Sequence, residues 1–260
     1  MKGIASLGAL VELQRAGWLQ GARTFAGTSV GAVLAMLLAV KADLGAVYTD
    51  DVLGFEYASA YDLAGLDKTF GLDTGQGLET WIDRLLGGRR LTFADVRALY
   101  GATLLVCASN LNTRDAVVFG PDTHPDMDVA LALRMSCSIP LYFAATTFEG
   151  HLYVDGAVTD NFPVGPAGQG GKRVLGLRLK SRPKPAGTQW SLDSFLGAMV
   201  ECAVTTPVPP CVDAVILDLD AGSSTQPVNF RMSRGHMQHI YDTGRAQARD
   251  FMTSYRKKSV

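Results

Sequence analysis

A serine becomes a nucleophile when the backbone thrusts it out of a tight turn and a neighbouring base takes its proton. Gly27-Thr28-Ser29-Val30-Gly31 has that form, set between a short apolar stretch, Thr24-Phe25-Ala26, and a long apolar run, Val30 to Val40. Read as strand, sharp turn and helix, it is a nucleophile elbow. Gly27 and Gly31 leave room for a kink that side chains would crowd, and Ser29 is pushed out at the turn. The helix that follows would aim its first N–H groups and its positive dipole end at the place where an oxyanion forms. The same five residues also describe a glycine-rich turn with a serine capping a buried helix, so only context gives them a chemical meaning.

The usual base for such a serine is histidine. His124, His151, His236 and His239 are the four available, and none stands in a strand-end loop of catalytic form. Asp155-Gly156-Ala157 is the better candidate. It follows the apolar stretch Leu152-Tyr153-Val154, which puts Asp155 at the C-terminal end of a strand, where α/β enzymes hold their sites, with Gly156 free to turn. An ordinary Asp-Gly turn is the competing reading.

The elements that must position these residues follow from periodicity. Ile4 to Ala16 carries apolar residues at helical spacing and stops at Gly17. A strand over Thr24 to Ala26, an exposed serine and a buried helix in quick succession point to an α/β fold with a parallel sheet. Residues 43 to 90 hold two or three helices, among them Asp50 to Tyr61 and Gly77 to Leu86, with Phe70 to Gly75 a loop between them. Thr92 is a helix N-cap. Ala102 to Ala108 and Ala116 to Phe119 make a hairpin, Asp128 to Met135 a helix, and Phe143 to Phe148 with His151 to Val154 a second hairpin. Val174 to Leu179 and Ala214 to Leu219 are strands, and Leu192 to Val204 is a helix. Ser233 to Tyr255 reads as a long polar helix interrupted by Gly244.

Composition sets the frame. The 260 residues fit one domain, 47% hydrophobic and 19% charged, with a net charge of −1 that points to no nucleic-acid partner. Cys107, Cys137, Cys202 and Cys211 lack metal-ligand or redox spacing and read as core residues in a reducing compartment. No signal peptide or spanning segment is read, so the expectation is a cytoplasmic protein.

The elbow together with Tyr153-Val154-Asp155-Gly156-Ala157, Asn161 and Pro163 resembles the paired signatures of the patatin-like phospholipase family. Lys2-Gly3 with Leu7-Gly8-Ala9-Leu10 resembles that family's first helix, just after its glycine-rich loop. The stretch from Ala132 to Phe143 is similar to the segment before its aspartate hairpin. The resemblance implies a single-domain three-layer α/β fold over residues 1–260, a central, mostly parallel sheet flanked by helices. It implies a lipid acyl hydrolase of the phospholipase A or lysophospholipase type that uses a Ser29–Asp155 dyad, an acyl-enzyme and no histidine. No metal or cofactor is expected. The expected partners are a phospholipid or lysophospholipid substrate and, in passing, a membrane surface, met through the apolar segments between residues 52 and 86.

One departure matters. The family's oxyanion loop reads Gly-Gly-Gly-x-Lys/Arg-Gly, and Met1-Lys2-Gly3 matches only its last three positions. Lys2 and Gly3 are therefore oxyanion-loop candidates, with the triple glycine and its strand expected upstream of Met1 and the strand at Thr24 to Ala26 left as an edge. The alternative is a catalytically weak or inactive lipid-binding or regulatory protein of the same fold. A third reading keeps the order Ser29, Asp155 and then His236 or His239 of an α/β-hydrolase triad. The 28 residues before Ser29 are too few for the strands that fold places ahead of its nucleophile.

Overall fold

The computed structural model describes residues 3–53, 61–62, 64–180, 212–221 and 232–258, with the single residues 189, 195 and 198. Of the helix expected over Leu192 to Val204 only Phe195 and Ala198 are described, and Lys2, Cys202 and Cys211 lie outside the described residues.

Helix α1 (Gly3–Arg15) leads to strand β1 (Thr24–Thr28) and then to α2 (Val30–Ala39) with no intervening loop. The apolar run after Ser29 buries on nearly every side: Ala32 to Leu37 and Ala39 are all buried, as a helix wedged between a sheet and other helices requires. After α3 (Leu44–Ala46) the chain continues as one π-helical stretch, Val47–Val52. The short α4 (Leu66–Thr69) precedes β2 (Gly71–Asp73). This strand replaces the loop expected at Phe70 to Gly75, because β5 (Leu141–Phe143), 70 residues further on, offers it a parallel partner. Only the tertiary fold could reveal that pairing. Helices α5 (Gln76–Leu85) and α6 (Phe93–Tyr100) follow, the latter opened by a full capping box between Thr92 and Asp95.

Strand β3 (Thr103–Asn110) is the hub of a five-stranded sheet. It pairs in parallel with β1 and antiparallel with β4 (Asp115–Phe119) and β7 (His151–Asp155), and β7 in turn pairs with β6 (Thr146–Phe148). Helix α7 (Val129–Ser136) leans on β3. After α8 (Val164–Ala167), β8 (Val174–Lys180) and β9 (Ala214–Asp220) form a parallel pair of their own. The fold is thus α/β with flanking helices. Its β1–β3 and β8–β9 pairs are parallel as expected, while the two hairpins add antiparallel strands. β1 has no second strand partner among the described residues.

The last helix, α9 (Arg234–Lys258), is unbroken. Gly244 is not an interruption: a Cβ there would collide with the Ala5 carbonyl of α1, and one on Gly8 would collide with the Tyr241 carbonyl. Two glycines let α1 and α9 cross at close range. Nor is α9 polar all round, since Met237, Ile240, Tyr241, Ala248 and Met252 are buried. The Glu12 carboxylate accepts from Arg245 Nε at 2.6 Å and from Arg249 at 3.2 Å, and the Tyr48 and Tyr241 rings stack at 3.7 Å.

Candidate active site

β4 occupies one edge of β3 from Val106 to Asn110. β1, paired with Thr103 to Cys107, and β7, paired with Ala108 to Asn110, must therefore share the other edge. They run in opposite directions, so their C-terminal ends abut. Thr28 stands opposite Cys107 and Asp155 opposite Ala108, the next residue along. Ser29 and Asp155, 126 positions apart in sequence, leave their strands at the same point.

Ser29 adopts φ 55° and ψ −131°. A residue with a side chain held there costs about 1–3 kcal/mol, which the surrounding packing must offset. The turn is tight enough that a Cβ on Gly27 would collide with the Gly31 carbonyl, so Gly27 is required. Gly31 is different: a Cβ there meets nothing within 4 Å. The expectation that both glycines relieve crowding holds for the first and fails for the second among the described residues. Gly156 is required as well, because its Cα passes over the Cys107 carbonyl and the Thr28 methyl.

Asp155 is 1% exposed. Its carboxylate accepts a hydrogen bond from the Ala157 N–H at 2.8 Å, and the Ser29 hydroxyl is near enough to favour its charged form. Its main chain is fixed on both sides, the N–H donating to the Ser138 carbonyl at 2.8 Å and the carbonyl accepting from Ser109 Oγ at 2.8 Å. Burial pushes the carboxyl up to about 6, and the nearby Ser29 hydroxyl and the Ala157 N–H hold it back from rising further. A carboxylate so placed titrates just below neutrality, in the range useful to a general base. Ser29 itself stands immediately before the first turn of α2, whose positive end faces the hydroxyl.

The histidines lie apart. His151 Nδ1 is 3.1 Å from Asn110 Nδ2, and His124 packs edge-on against Phe119. On α9, His236 is half-buried and His239 exposed. No histidine is among the partners described for Ser29 or Asp155.

The structure also brings residues to the site for which the sequence reading assigned no role. The Ser29 N–H donates to Ser136 Oγ at 2.9 Å, and that hydroxyl donates to the Cys107 carbonyl at 2.6 Å. Burial, with Asp155 close by, raises the pKa of the Cys137 thiol and keeps it neutral. Burial likewise pushes the Cys107 thiol up to about 12. Arg134, 5% exposed, donates to Ser138 Oγ, to the Thr74 carbonyl at 3.1 Å, to the Ala144 carbonyl at 3.0 Å and to Glu79 at 3.2 Å. It fastens the Ser136–Ser138 turn to the β2–α5 segment. The pattern from Ala132 to Phe143 marks this stretch, but not what each side chain touches.

Of the oxyanion-loop candidates, Lys2 lies outside the described residues. Gly3 is buried and pressed against the side chain of Val30, the residue after the nucleophile candidate. No group of three or more His, Cys, Asp or Glu that could hold a metal occurs among the described residues. A cavity of about 320 Å³ lies at the far end of β1, lined by Gln14, Phe25 and Tyr100 among others, and takes in none of the site residues.

A family model for patatin-like phospholipases matches residues 1–167. An uncharacterized protein of Acanthamoeba polyphaga mimivirus is 29% identical over 153 residues, which is 55% of this chain and 49% of that protein. A probable lipid hydrolase of Invertebrate iridescent virus 6 is 30% identical over 179 residues, 63% of this chain and 59% of that protein. The chain thus spans about half of the one relative's length and about three fifths of the other's. Among solved structures, VipD from Legionella pneumophila is similar in fold, with a TM-score of 0.61 over 97% of this chain and 65% of that one at 14% identity.

Proposed function

Because the chain belongs to the patatin-like phospholipase family, we propose that it is a lipid acyl hydrolase in which Ser29 is the nucleophile and Asp155 the general base and acid. The observation that carries the proposal is the strand register that brings Ser29 and the buried carboxylate of Asp155 together where β1 and β7 end. As Ser29 Oγ attacks an ester carbonyl, its proton passes to Asp155. The tetrahedral intermediate collapses, the C–O bond to the alcohol breaks, and the leaving alkoxide takes the proton from Asp155. Asp155 then takes a proton from water, whose oxygen attacks the acyl-enzyme; collapse returns the proton to Ser29 and frees the fatty acid. The positive end of α2 favours the negative charge that develops on the carbonyl oxygen. Gly3, held against Val30, supports a place for the oxyanion loop beside the same carbonyl.

A phospholipid or lysophospholipid substrate means working at a membrane surface. Tyr61, Phe70 and Leu141, 52%, 51% and 47% exposed, lie on or beside the β2–β5 pair, and Leu141 follows closely on the Ser136–Ser138 turn. They are the residues for that contact. Of the other aromatic candidates, Phe55 and Tyr57 lie outside the described residues, and Trp81 is tied down by a 3.0 Å bond from Nε1 to the Asp51 carbonyl.

The test is hydrolysis of a mixed phospholipid panel, read by mass spectrometry of released fatty acid, with Ser29→Ala and Asp155→Asn. Each substitution is expected to reduce the rate at least about a thousandfold, the scale at which members of a catalytic unit act. Undiminished hydrolysis by either variant would overturn the dyad. A fluorophosphonate that leaves Ser29 of the native protein unlabelled would favour a silent lipid-binding role instead.

A further inference from the structure

The elbow creates a problem that the fold answers with one side chain. β1 and β3 pair in parallel up to Thr28 and Cys107, and the Ser29 N–H would ordinarily continue that ladder onto β3. At Ser29 the chain swings out of the sheet instead, leaving a half-buried donor on Ser29 and a buried acceptor on Cys107. Ser136, the wholly buried last residue of α7, stands between them. Its hydroxyl accepts from the Ser29 N–H at 2.9 Å and donates to the Cys107 carbonyl at 2.6 Å. A hydroxyl is the smallest side-chain group that both donates and accepts, so it replaces one ladder bond with two. Two residues on, the Ser138 carbonyl accepts the Asp155 N–H at 2.8 Å. The end of α7 thus grips the main chain of both site residues.

We propose that Ser136 is a positioning residue for Ser29: its hydroxyl holds the nucleophile's backbone in the strained elbow and so aims Oγ. The inference rests on the dyad reading above. It also gives the Ser29 N–H a fixed occupation, so that amide is not an oxyanion donor; the donors must come from elsewhere. Ser136 touches no reacting atom and acts only through the Ser29 amide.

The test uses the full chain and three variants. Ser136→Ala removes the bridge, Ser136→Thr keeps a hydroxyl at the same place, and Val96→Ala opens a cavity on α6, which the site does not use. Three quantities are read: exchange of the Ser29 amide hydrogen, kcat and KM on a p-nitrophenyl acyl ester, and the rate of Ser29 labelling by a fluorophosphonate. Loss of one buried hydrogen bond should speed Ser29 amide exchange and slow both kcat and labelling by about 10–100-fold in Ser136→Ala, with KM changed less than about twofold. Ser136→Thr should recover most of the loss. Val96→Ala should lower the melting temperature without either effect, which separates positioning from general destabilisation. If Ser29 amide exchange is unchanged in Ser136→Ala, or if kcat and labelling fall no further than in Val96→Ala at equal loss of melting temperature, the inference is overturned. If exchange rises as expected but native Ser29 neither labels nor supports hydrolysis, the dyad reading fails and with it the catalytic role of the clamp. Should Ser136→Ala not fold, Ser136→Thr decides: exchange and labelling at native rates support the clamp, and a loss of labelling with the Ser29 amide still protected overturns it.

Discussion

Asp155 carries the sharpest consequences of any single residue. A buried carboxyl raised to about 6 must lose its proton before it can act as a base. The kcat/KM of ester hydrolysis should therefore rise about tenfold per pH unit below 6 and level off above it. A flat profile from pH 5 to 7 would remove Asp155 from the proton transfer. The same shift has a cost in stability. The folded carboxyl binds its proton more tightly than the unfolded one, whose value is about 3.9. Its contribution to stability is thus complete below about pH 4 and is lost as the pH rises through 6. Asp155→Asn, though inactive, should raise stability at pH 8 by roughly 2–3 kcal/mol, at 1.36 kcal/mol per pKa unit, and the gain should vanish by about pH 4. Denaturant melts at the two pH values measure it. The elbow glycines part company in the same way. Gly27→Ala drives a methyl into the Gly31 carbonyl and should abolish the native elbow. Gly31→Ala meets open space inside a helix and should be neutral or stabilising by up to about 1 kcal/mol. Both residues fit the motif equally well, and their different burdens appear only when the chain folds back on itself.

Among the elements, those with strong local signals were legible. The N-cap at Thr92 and the hairpin that joins Ala102–Ala108 to Ala116–Phe119 are short-range devices, and each appears where its residues promised. What failed were inferences that ignored a distant partner. Phe70 to Gly75 looked like a loop because β2 is short and its mate β5 is remote. Gly244 looked like a break because glycine weakens an isolated helix; here the Ala5 carbonyl of α1 takes the space a side chain would need. Gly244→Ala should therefore cost stability, by about 1–3 kcal/mol for overpacking, even though alanine is the better helix former. A melt that moves upward would show that α1 and α9 can part without loss.

Across the whole molecule, Arg134 links the Ser136–Ser138 turn to Thr74, Glu79 and Ala144, so the site and the exposed apolar corner at Tyr61, Phe70 and Leu141 rest on one buried guanidinium. If that corner meets the membrane, the double variant Phe70→Ser/Leu141→Ser should weaken binding to phosphatidylcholine vesicles at least about tenfold, on the scale of 1.5–3 kcal/mol per large apolar side chain withdrawn from water. Its hydrolysis of a soluble ester should stay near the native rate; unchanged vesicle binding would move the contact elsewhere. No described helix is long and apolar enough to cross a membrane. By itself, the sequence determined the family, the order of the elements around the elbow and the two side chains proposed as nucleophile and base, because these follow from local pattern: a kink needs glycine, a buried helix needs an apolar run. Only the tertiary structure decided that β1 and β7 end head to head on one edge of β3, that Asp155 is buried enough to hold its proton near 6, and that a hydroxyl from α7 closes the ladder broken at Ser29. Pairing register and burial are properties of segments brought together from more than a hundred residues apart, and no short stretch of chain encodes them alone.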